Sequence, residues 1–582
     1  MKVLLVAINA KYIHSNLAVY SLKAYAKKYE KEVRADISIE EYTINQPVDA
    51  ILADLYEKKP DVLCFSCYIW NIVYMQELLV ELRKILPVVK IWLGGPEVSY
   101  HAVELLRRYP QVDGIMRGEG EETFLELLRS FEGENNLEEI VGITWRERNV
   151  KNGEGEIREN SWRPAIDLNK IPFVYQNHME MFANKMIYYE SSRGCPFSCS
   201  YCLSSIDKCL RFRDLELVFQ ELQFFIDQKV AQVKFVDRTF NCRHEHAIAI
   251  WRYLAEHDLG ITNFHFEVAA DLLQEEELQL LEKMRPGLVQ LEIGIQSTNA
   301  RTICEIQRSM DFERVAANVK RIHNAGNIHQ HLDLIAGLPY EDYESFHQSF
   351  DSVYALQPEQ LQLGFLKVLK GSHMQEMASK YDLVYQERPS FEVLSTRWLS
   401  YGDIVRLKRV EEMVEVYYNS GQFVHTLPEL VKQYRSPFAF FEALGNYYLK
   451  ENLFHLNHTR IARYEILLRF AKTIDAGKLE RYRELLTFDL YLRENVKNRP
   501  DFCGEFSVDK KETTAFYEEE AKTHQYLKGY ESYDRRQMRK MTHLERLDGK
   551  IYLFDYMHRN PLTNQAKVLE IGVDCKMRKN AP

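Results

Sequence analysis

The chain has 582 residues, a net charge of −10, 46% hydrophobic and 27% charged residues; it is too long for one core and ordinary in composition for a folded, soluble protein. No apolar run approaches the ~20 residues of a transmembrane helix, and the acidic balance excludes a general attraction to nucleic acid or anionic membranes. Met1 to Asn9 carries no cleavage signature and reads as a first strand rather than a signal peptide, which implies a cytoplasmic chain with reduced thiols.

Residues 1–150 alternate strand and helix patterns. Val3 to Ile8 is an apolar run of strand length, and Leu17 to Tyr29 carries apolar residues at helical spacing. Val62 to Ser66 reads as a second buried strand, followed by a helix from Met75 to Leu86. Lys90 to Leu93 is a third strand, ending in Gly94-Gly95-Pro96-Glu97. After a helix from Ala102 to Arg108, Gly114 to Arg117 leads into Gly118-Glu119-Gly120-Glu121. This alternation predicts a doubly wound, Rossmann-like parallel sheet. Ligands on such sheets sit at the carboxyl ends of the strands. Asn9, Ser66, Gly94, Gly95, Gly118 and Glu119 occupy those ends, and glycine there lets the backbone approach a bulky ligand. Cys64 and Cys67, three apart on a buried strand, point to opposite faces and read as core residues rather than a metal pair.

Residues 151–180 form a polar linker, most marked from Asn152 to Pro172. Beyond it, Arg193-Gly194-Cys195-Pro196-Phe197-Ser198-Cys199-Ser200-Tyr201-Cys202 places three residues between the first cysteine pair and two between the second. Three soft thiolates this close suit an iron–sulfur cluster and leave one iron of a cubane without a protein ligand. A structural zinc site closes with four ligands, and only the distant His244 and His246 offer a fourth.

Residues 181–400 continue as a second α/β series. Strand patterns fall at Lys185–Ser191, Val233–Asp237, Phe264–Ala269, Leu288–Ile295 and His331–Ile335, with helices at Leu215–Gln228, Glu275–Lys283 and Phe312–Ala325. Repeated βα units predict an incomplete TIM-type barrel with functional groups at the strand carboxyl ends. Those ends carry Asp237-Arg238-Thr239-Phe240-Asn241, Glu267, and Gln296-Ser297.

Residues 401–582 are mostly helical, with helices at Pro428–Leu449 and Arg460–Lys472 and another bearing Leu479, Tyr482, Leu486 and Leu490. Lys550–Phe554 and Ala566–Ile571 suggest a hairpin, and the basic run Arg535 to Met541 reads as a solvated helix face. Cys209, Cys242, Cys304, Cys503 and Cys575 stand alone and read as small buried hydrophobes.

The cysteine spacing, with Tyr201 before the last cysteine, resembles the radical S-adenosylmethionine (SAM) superfamily. The strand-end runs from Lys185 to Gly371 resemble its elongator-type and methylthiotransferase-like branch. An α/β domain placed before the triad resembles the cobalamin-binding subclass, followed here by an uncharacterised carboxyl-terminal extension. The resemblance implies a 4Fe–4S cluster on Cys195, Cys199 and Cys202, with SAM on the open iron. It implies Asp237 and Asn241 near the SAM amino group, Glu267 and Gln296 near the ribose hydroxyls and methionine, and Tyr201 near adenine. The structural alternative for Glu267 is an ion pair with Arg238 or Arg308. The resemblance also implies cobalamin over Asn9, Ser66, Gly94, Gly95, Gly118 and Glu119. One departure stands out. The Asp-x-His-x-x-Gly of many cobalamin folds is replaced by Asn9 to Asn16, so His14 reads as a loop histidine bonded to backbone rather than a cobalt ligand. The implied activity is cobalamin-dependent methyl transfer to an unactivated carbon, fed by an external electron donor such as flavodoxin or ferredoxin. The alternatives are rearrangement or cyclisation without methylation, and a non-catalytic cobalamin or redox sensor.

Overall fold

The computed structural model describes residues 1–572, except 30, 32, 148–154, 177, 178, 207, 506 and 507. It divides into two compact units. The first comprises Met1–Ile322, Ile335–Asp342 and Gly364–Tyr401. The second comprises His323–Leu334, Tyr343–Leu363 and the chain from Gly402.

The first unit opens with a sheet of β1 (Lys2–Asn9), β2 (Asp36–Thr43), β3 (Val62–Ser66), β4 (Lys90–Gly94), β5 (Gly114–Met116), β6 (Ile143–Glu147) and β7 (Glu156–Glu159), in the order β2-β1-β3-β4-β5-β6-β7. The first five strands are parallel, as the alternation predicts, while β6 and β7 extend the sheet antiparallel. The strand order reverses between β1 and β3, and in such sheets that switch point opens a crevice at the strand ends. Val3 to Ile8 is apolar throughout because both faces of β1 are covered; each of these residues is at most 1% exposed. One face packs Leu4, Val6, Ile8, Leu63 and Phe65 against the helices Val48–Glu57 and Ile72–Ile85.

A second sheet in this unit holds β8 (Ile187–Tyr189), β11 (Gln232–Phe235), β12 (Asn263–Val268) and β13 (Val289–Gln296) as successive parallel neighbours. Between β8 and β11 lies a short antiparallel pair, β9 (Ser192–Arg193) and β10 (Arg211–Phe212). The helices Leu215–Asp227, His244–His257 and Glu275–Glu282 connect these strands, giving the βα units of a partial barrel. Along β13, Val289, Leu291, Ile293 and Ile295 are buried, while Gln290, Glu292, Gly294 and Gln296 alternate to the other face.

In the second unit the single helix expected over 428–449 is two, Thr426–Val431 and Pro437–Lys450. Pro437 cannot continue a helix but suits a first turn, and Ser436 caps it by accepting from the Ala439 amide. The expected hairpin is the last two strands of a three-stranded meander, Thr542–Leu547, Lys550–Arg559 and Ala566–Ile571. Among the isolated cysteines, Cys503 is buried as expected and Cys242 is half-buried. Cys209 and Cys304 are exposed, correcting that reading, because a loop and a short helix carry them at the surface. Cys575 lies outside the described residues. Among the described residues no helix is long and apolar enough to cross a membrane.

Candidate functional site: a cavity shared by the two sheets of the first unit

A cavity of about 820 Å³ opens at the carboxyl ends of the first sheet. All six residues predicted there, Asn9, Ser66, Gly94, Gly95, Gly118 and Glu119, line it. Ser192 and Arg193 of β9 and Gly194, immediately before the first cysteine of the triad, line it from the opposite side, with Tyr188 of β8 and Arg238 beyond β11.

The strand-end residues differ in how free they are. Gly95 has φ +108°, and a Cβ there would stand 2.5 Å from the Cys67 carbonyl oxygen, so only glycine fits. The Asn9 amide donates to the His14 carbonyl at 3.1 Å and to Glu41 at 2.9 Å. The Ser66 hydroxyl accepts from Asn16 at 2.9 Å. Glu119 lines the cavity, but its carboxylate already holds Arg193 at 3.0 Å, Arg211 at 2.8 Å and the Ile166 amide at 2.7 Å. It acts as a tie between the end of β5 and the cysteine loop. His14 bonds the Tyr188 hydroxyl at 2.6 Å rather than backbone, because its loop is laid against β8. Burial, helped by Lys11 and Lys234, lowers its pKa and keeps the ring neutral. Cys64 and Cys67 are buried core residues as expected, and burial pushes the Cys64 thiol up to about 12.

The cysteine loop is fixed by backbone geometry. Gly194 has φ +94°, and a Cβ there would meet the Cys209 carbonyl oxygen at 2.5 Å. The Ser200 amide donates to Ile306 at 2.9 Å, and the Met374 amide to Ser200 at 2.8 Å. Cys195 and Cys199 are buried and Cys202 is half-buried. The Cys195 sulfur lies 3.9 Å from the Thr239 hydroxyl, and the Arg308 guanidinium reaches the Cys199 sulfur at 3.8 Å. Burial raises the Cys199 pKa and Arg308 opposes it. Among the described residues no three His, Cys, Asp or Glu side chains converge on one point as ligands of a single ion do. A cubane has no such need, because each cysteine ligates a different iron.

The other predicted residues surround this loop in unequal roles. Asp237 is fully buried and accepts from the Ser191 amide at 3.0 Å, the Ser191 hydroxyl at 2.7 Å and the Ser192 hydroxyl at 2.6 Å. Burial pushes its carboxyl up to about 6, against those hydrogen bonds. Its carboxylate braces the strand that feeds the cysteines. Asn241 makes a two-way backbone bond with Ala269, both arms at 2.9 Å. Tyr201 sits 3.4 Å from Arg308. Glu267 is half-buried and in register with Glu292. Gln296, at the end of β13 with φ +71°, holds a buried side-chain oxygen with no partner.

Several residues were missed by sequence reasoning. Arg308 was expected only as a possible ion-pair partner of Glu267; it comes from beyond the helix Ala300–Glu305, and its reach to the Cys199 sulfur and Tyr201 was not foreseen. Lys234, His265 and Glu292 come from three neighbouring strands, and the Lys234 ammonium and the His265 ring each reach the Glu292 carboxylate at 3.0 Å. Burial opposes ionisation of Glu292, but those bonds prevail and hold it at about 2. The alternating pattern of β13 was the available signal for Glu292.

Three family models match successive parts of the chain: a B12 binding domain over residues 3–128, the radical SAM superfamily over 189–353, and a protein family of unknown function, DUF4080, over 379–569. The cobalamin-dependent radical SAM methyltransferase TokK of Streptomyces tokunonensis is 24% identical over 423 residues, covering 67% of this chain and 59% of its own. The anaerobic magnesium-protoporphyrin IX monomethyl ester cyclase of Synechocystis is 29% identical over 267 residues, covering 42% of this chain and 50% of its own. The chain thus spans about half the length of these relatives. Among solved structures, the cobalamin-dependent S-adenosylmethionine radical enzyme OxsB, with aqua-cobalamin and S-adenosylmethionine bound, superposes with a TM-score of 0.58 at 16% identity, covering 84% of this chain and 78% of its own. That likeness is one of fold. The chain thus carries, in this order, a region matching the B12 binding domain, one matching the radical SAM superfamily and one matching DUF4080, and the strand ends of the first share a cavity with the residues leading into the cysteine loop of the second.

Proposed function

We propose that the chain is a cobalamin-dependent radical SAM enzyme that transfers a methyl group to an unactivated carbon. One observation carries this reading: a single cavity of about 820 Å³ is walled by the B12-domain strand ends and by the residues leading into the cysteine triad. Residues 1–150 then hold cobalamin, 181–400 the cluster and SAM, and 151–180, which also add β7 to the first sheet, join them, with 401–582 as a separate region. When bound, the cluster supplies the electron that opens the sulfonium of SAM, and cobalamin carries the methyl group.

The residues present fit these groups. Gly94, Gly95 and Gly118 leave room for a flat macrocycle at the strand ends. Cys195, Cys199 and Cys202 supply three thiolates, and the Arg308 charge favours the ionised form of Cys199. The unpartnered Gln296 oxygen is an acceptor for a ribose hydroxyl or an ammonium, and the buried, unpartnered Arg308 Nε is a donor beside it. Asp237 holds the segment that leads into the cysteine loop, Asn241 ties the chain beyond Asp237 to Ala269, and Tyr201 lies beside Arg308. The electron donor is an external protein such as flavodoxin or ferredoxin, the setting is cytoplasmic, and nucleic acid is not the substrate class the acidic chain favours.

The likeness to a cyclase sustains a second reading, ring formation without methylation on the same two cofactors. Anaerobic reconstitution with iron, sulfide and hydroxocobalamin, followed by assay of 5′-deoxyadenosine, tests the shared part. Absence of that product from cluster-loaded protein refutes both readings. Methyl-labelled SAM separates them: label in an organic product supports transfer, and an unlabelled cyclised product supports the alternative.

A further inference from the structure

Arg238 follows Asp237, whose carboxylate is tied to Ser191 and Ser192, and precedes Thr239, whose hydroxyl touches the Cys195 sulfur at 3.9 Å. Its backbone is therefore held from both sides against the cysteine loop. Its side chain is exposed and lines the cavity shared with the B12 domain.

The other cations of this region are already paired. Arg193 holds Glu119, Glu121 and Glu190 at 2.8–3.0 Å. Arg211 holds Glu119, and Lys234 holds Glu292. Arg308 donates to the Gly294 carbonyl and reaches Cys199 and Tyr201. Among the described residues the Arg238 guanidinium alone in this group has no hydrogen bond or ion pair. The stacked rings of Tyr68 and Trp70, 4.4 Å between centroids, also line the cavity, and the Arg238 charge acts on the Tyr68 phenol against the effect of burial. A guanidinium is always charged and presents a planar fork that matches carboxylate and phosphate oxygens.

We infer that Arg238 is the specificity-determining residue for the substrate, holding an anionic group of it, a carboxylate or a phosphate, in the space between the corrin and the cluster. The inference rests on the radical SAM reading above and narrows the substrate to an anion.

The test uses the full chain loaded with cluster, cobalamin and SAM. Pyrophosphate and malonate are titrated calorimetrically into wild type, Arg238→Lys and Arg238→Gln. Wild type is expected to bind one of the two probes saturably, and the stronger probe tells phosphate from carboxylate. Arg238→Gln is expected to weaken that binding by about tenfold or more, with Arg238→Lys between them, as for loss of a charge-assisted bond. Equal affinity in Arg238→Gln, or no binding of either probe by wild type, overturns the inference. So does loss of cobalamin from Arg238→Gln, read in its visible spectrum, or loss of SAM affinity, since the guanidinium would then serve a cofactor. A wild type that cannot be loaded with cluster and cobalamin instead refutes the reading on which the inference rests.

Discussion

Removing the guanidinium of Arg193 tests whether the cysteine loop is locked to the B12 domain. Arg193 makes hydrogen bonds with Glu190 at 2.8 and 2.9 Å, Glu119 at 3.0 Å and Glu121 at 2.9 Å. The Glu121 side chain is only 6% exposed, whereas Glu119 keeps Arg211 at 2.8 Å if Arg193 is lost. The cost of Arg193→Met therefore falls on Glu121, left as a buried charge without its partner, and such a loss costs about 3–5 kcal/mol. Neutralising the survivor removes most of that penalty, so Arg193→Met with Glu121→Gln costs about 1–3 kcal/mol less than the sum of the two single changes. Native-state hydrogen exchange across residues 119–131 and 192–202 reads the local opening free energy without assuming that a chain of this size unfolds in one step. Single losses that add to within about 0.5 kcal/mol refute the tie. The pH dependence has a definite sign. Burial raises the Glu121 pKa, but Arg193 lowers it further, and the net shift is downward. The stabilisation is thus complete above the unfolded carboxyl pKa of about 4.3 and is lost as pH falls toward the folded value. Acidification should open these segments first in wild type and should have less effect in Arg193→Met.

Alanine at Cys195, Cys199 or Cys202 should each lower bound iron and abolish the cubane spectrum, whereas Cys503→Ala, in the second unit, should leave iron content intact. Gly95→Ala places a Cβ 2.5 Å from a backbone oxygen at φ +108°; a strain of about 1–3 kcal/mol at this turn should appear as weaker cobalamin retention on gel filtration. Asp237 titrates at about 6 when folded, above its unfolded value. The native state therefore holds this proton more tightly, and stability falls as pH rises from about 4 to 6 and is flat beyond, by about 3 kcal/mol from this group. Asp237→Asn, though it loses acceptor capacity, should flatten that slope in melts compared at pH 4.5 and 7.5; an unchanged slope refutes the assignment.

The legible parts of the molecule were those where one physical demand dominates. β1 and β3 read as strands because both faces are buried and nothing polar interrupts them. The cysteine spacing stood out because three thiols so close together suit few demands, and Gly94-Gly95 because glycine at a strand end leaves the backbone open; of the two, Gly95 has the positive φ. β2 escaped notice because Asp-Ile-Ser-Ile-Glu-Glu-Tyr-Thr lies at the sheet edge, with only Tyr42 buried. β6 and β7 were missed because an antiparallel addition has no βα unit to announce it.

The site shows a subtler limit. Sequence placed Glu119 and Asp237 correctly at strand ends but could not tell which way their carboxylates turn. In the fold both turn inward to the protein, Glu119 to Arg193 and Arg211, Asp237 to Ser191 and Ser192. The reason is local: a loop that must present three thiolates has few backbone hydrogen bonds of its own, so neighbouring carboxylates take over its positioning. By contrast the Gln296 side-chain oxygen and the Arg238 guanidinium, ordinary in a single sequence, are left without partners, and Arg238 lines the cavity. In this chain the charged motif residues Glu119 and Asp237 are used up in holding the segment that leads into the cysteines, and the groups left unpaired lie on other residues.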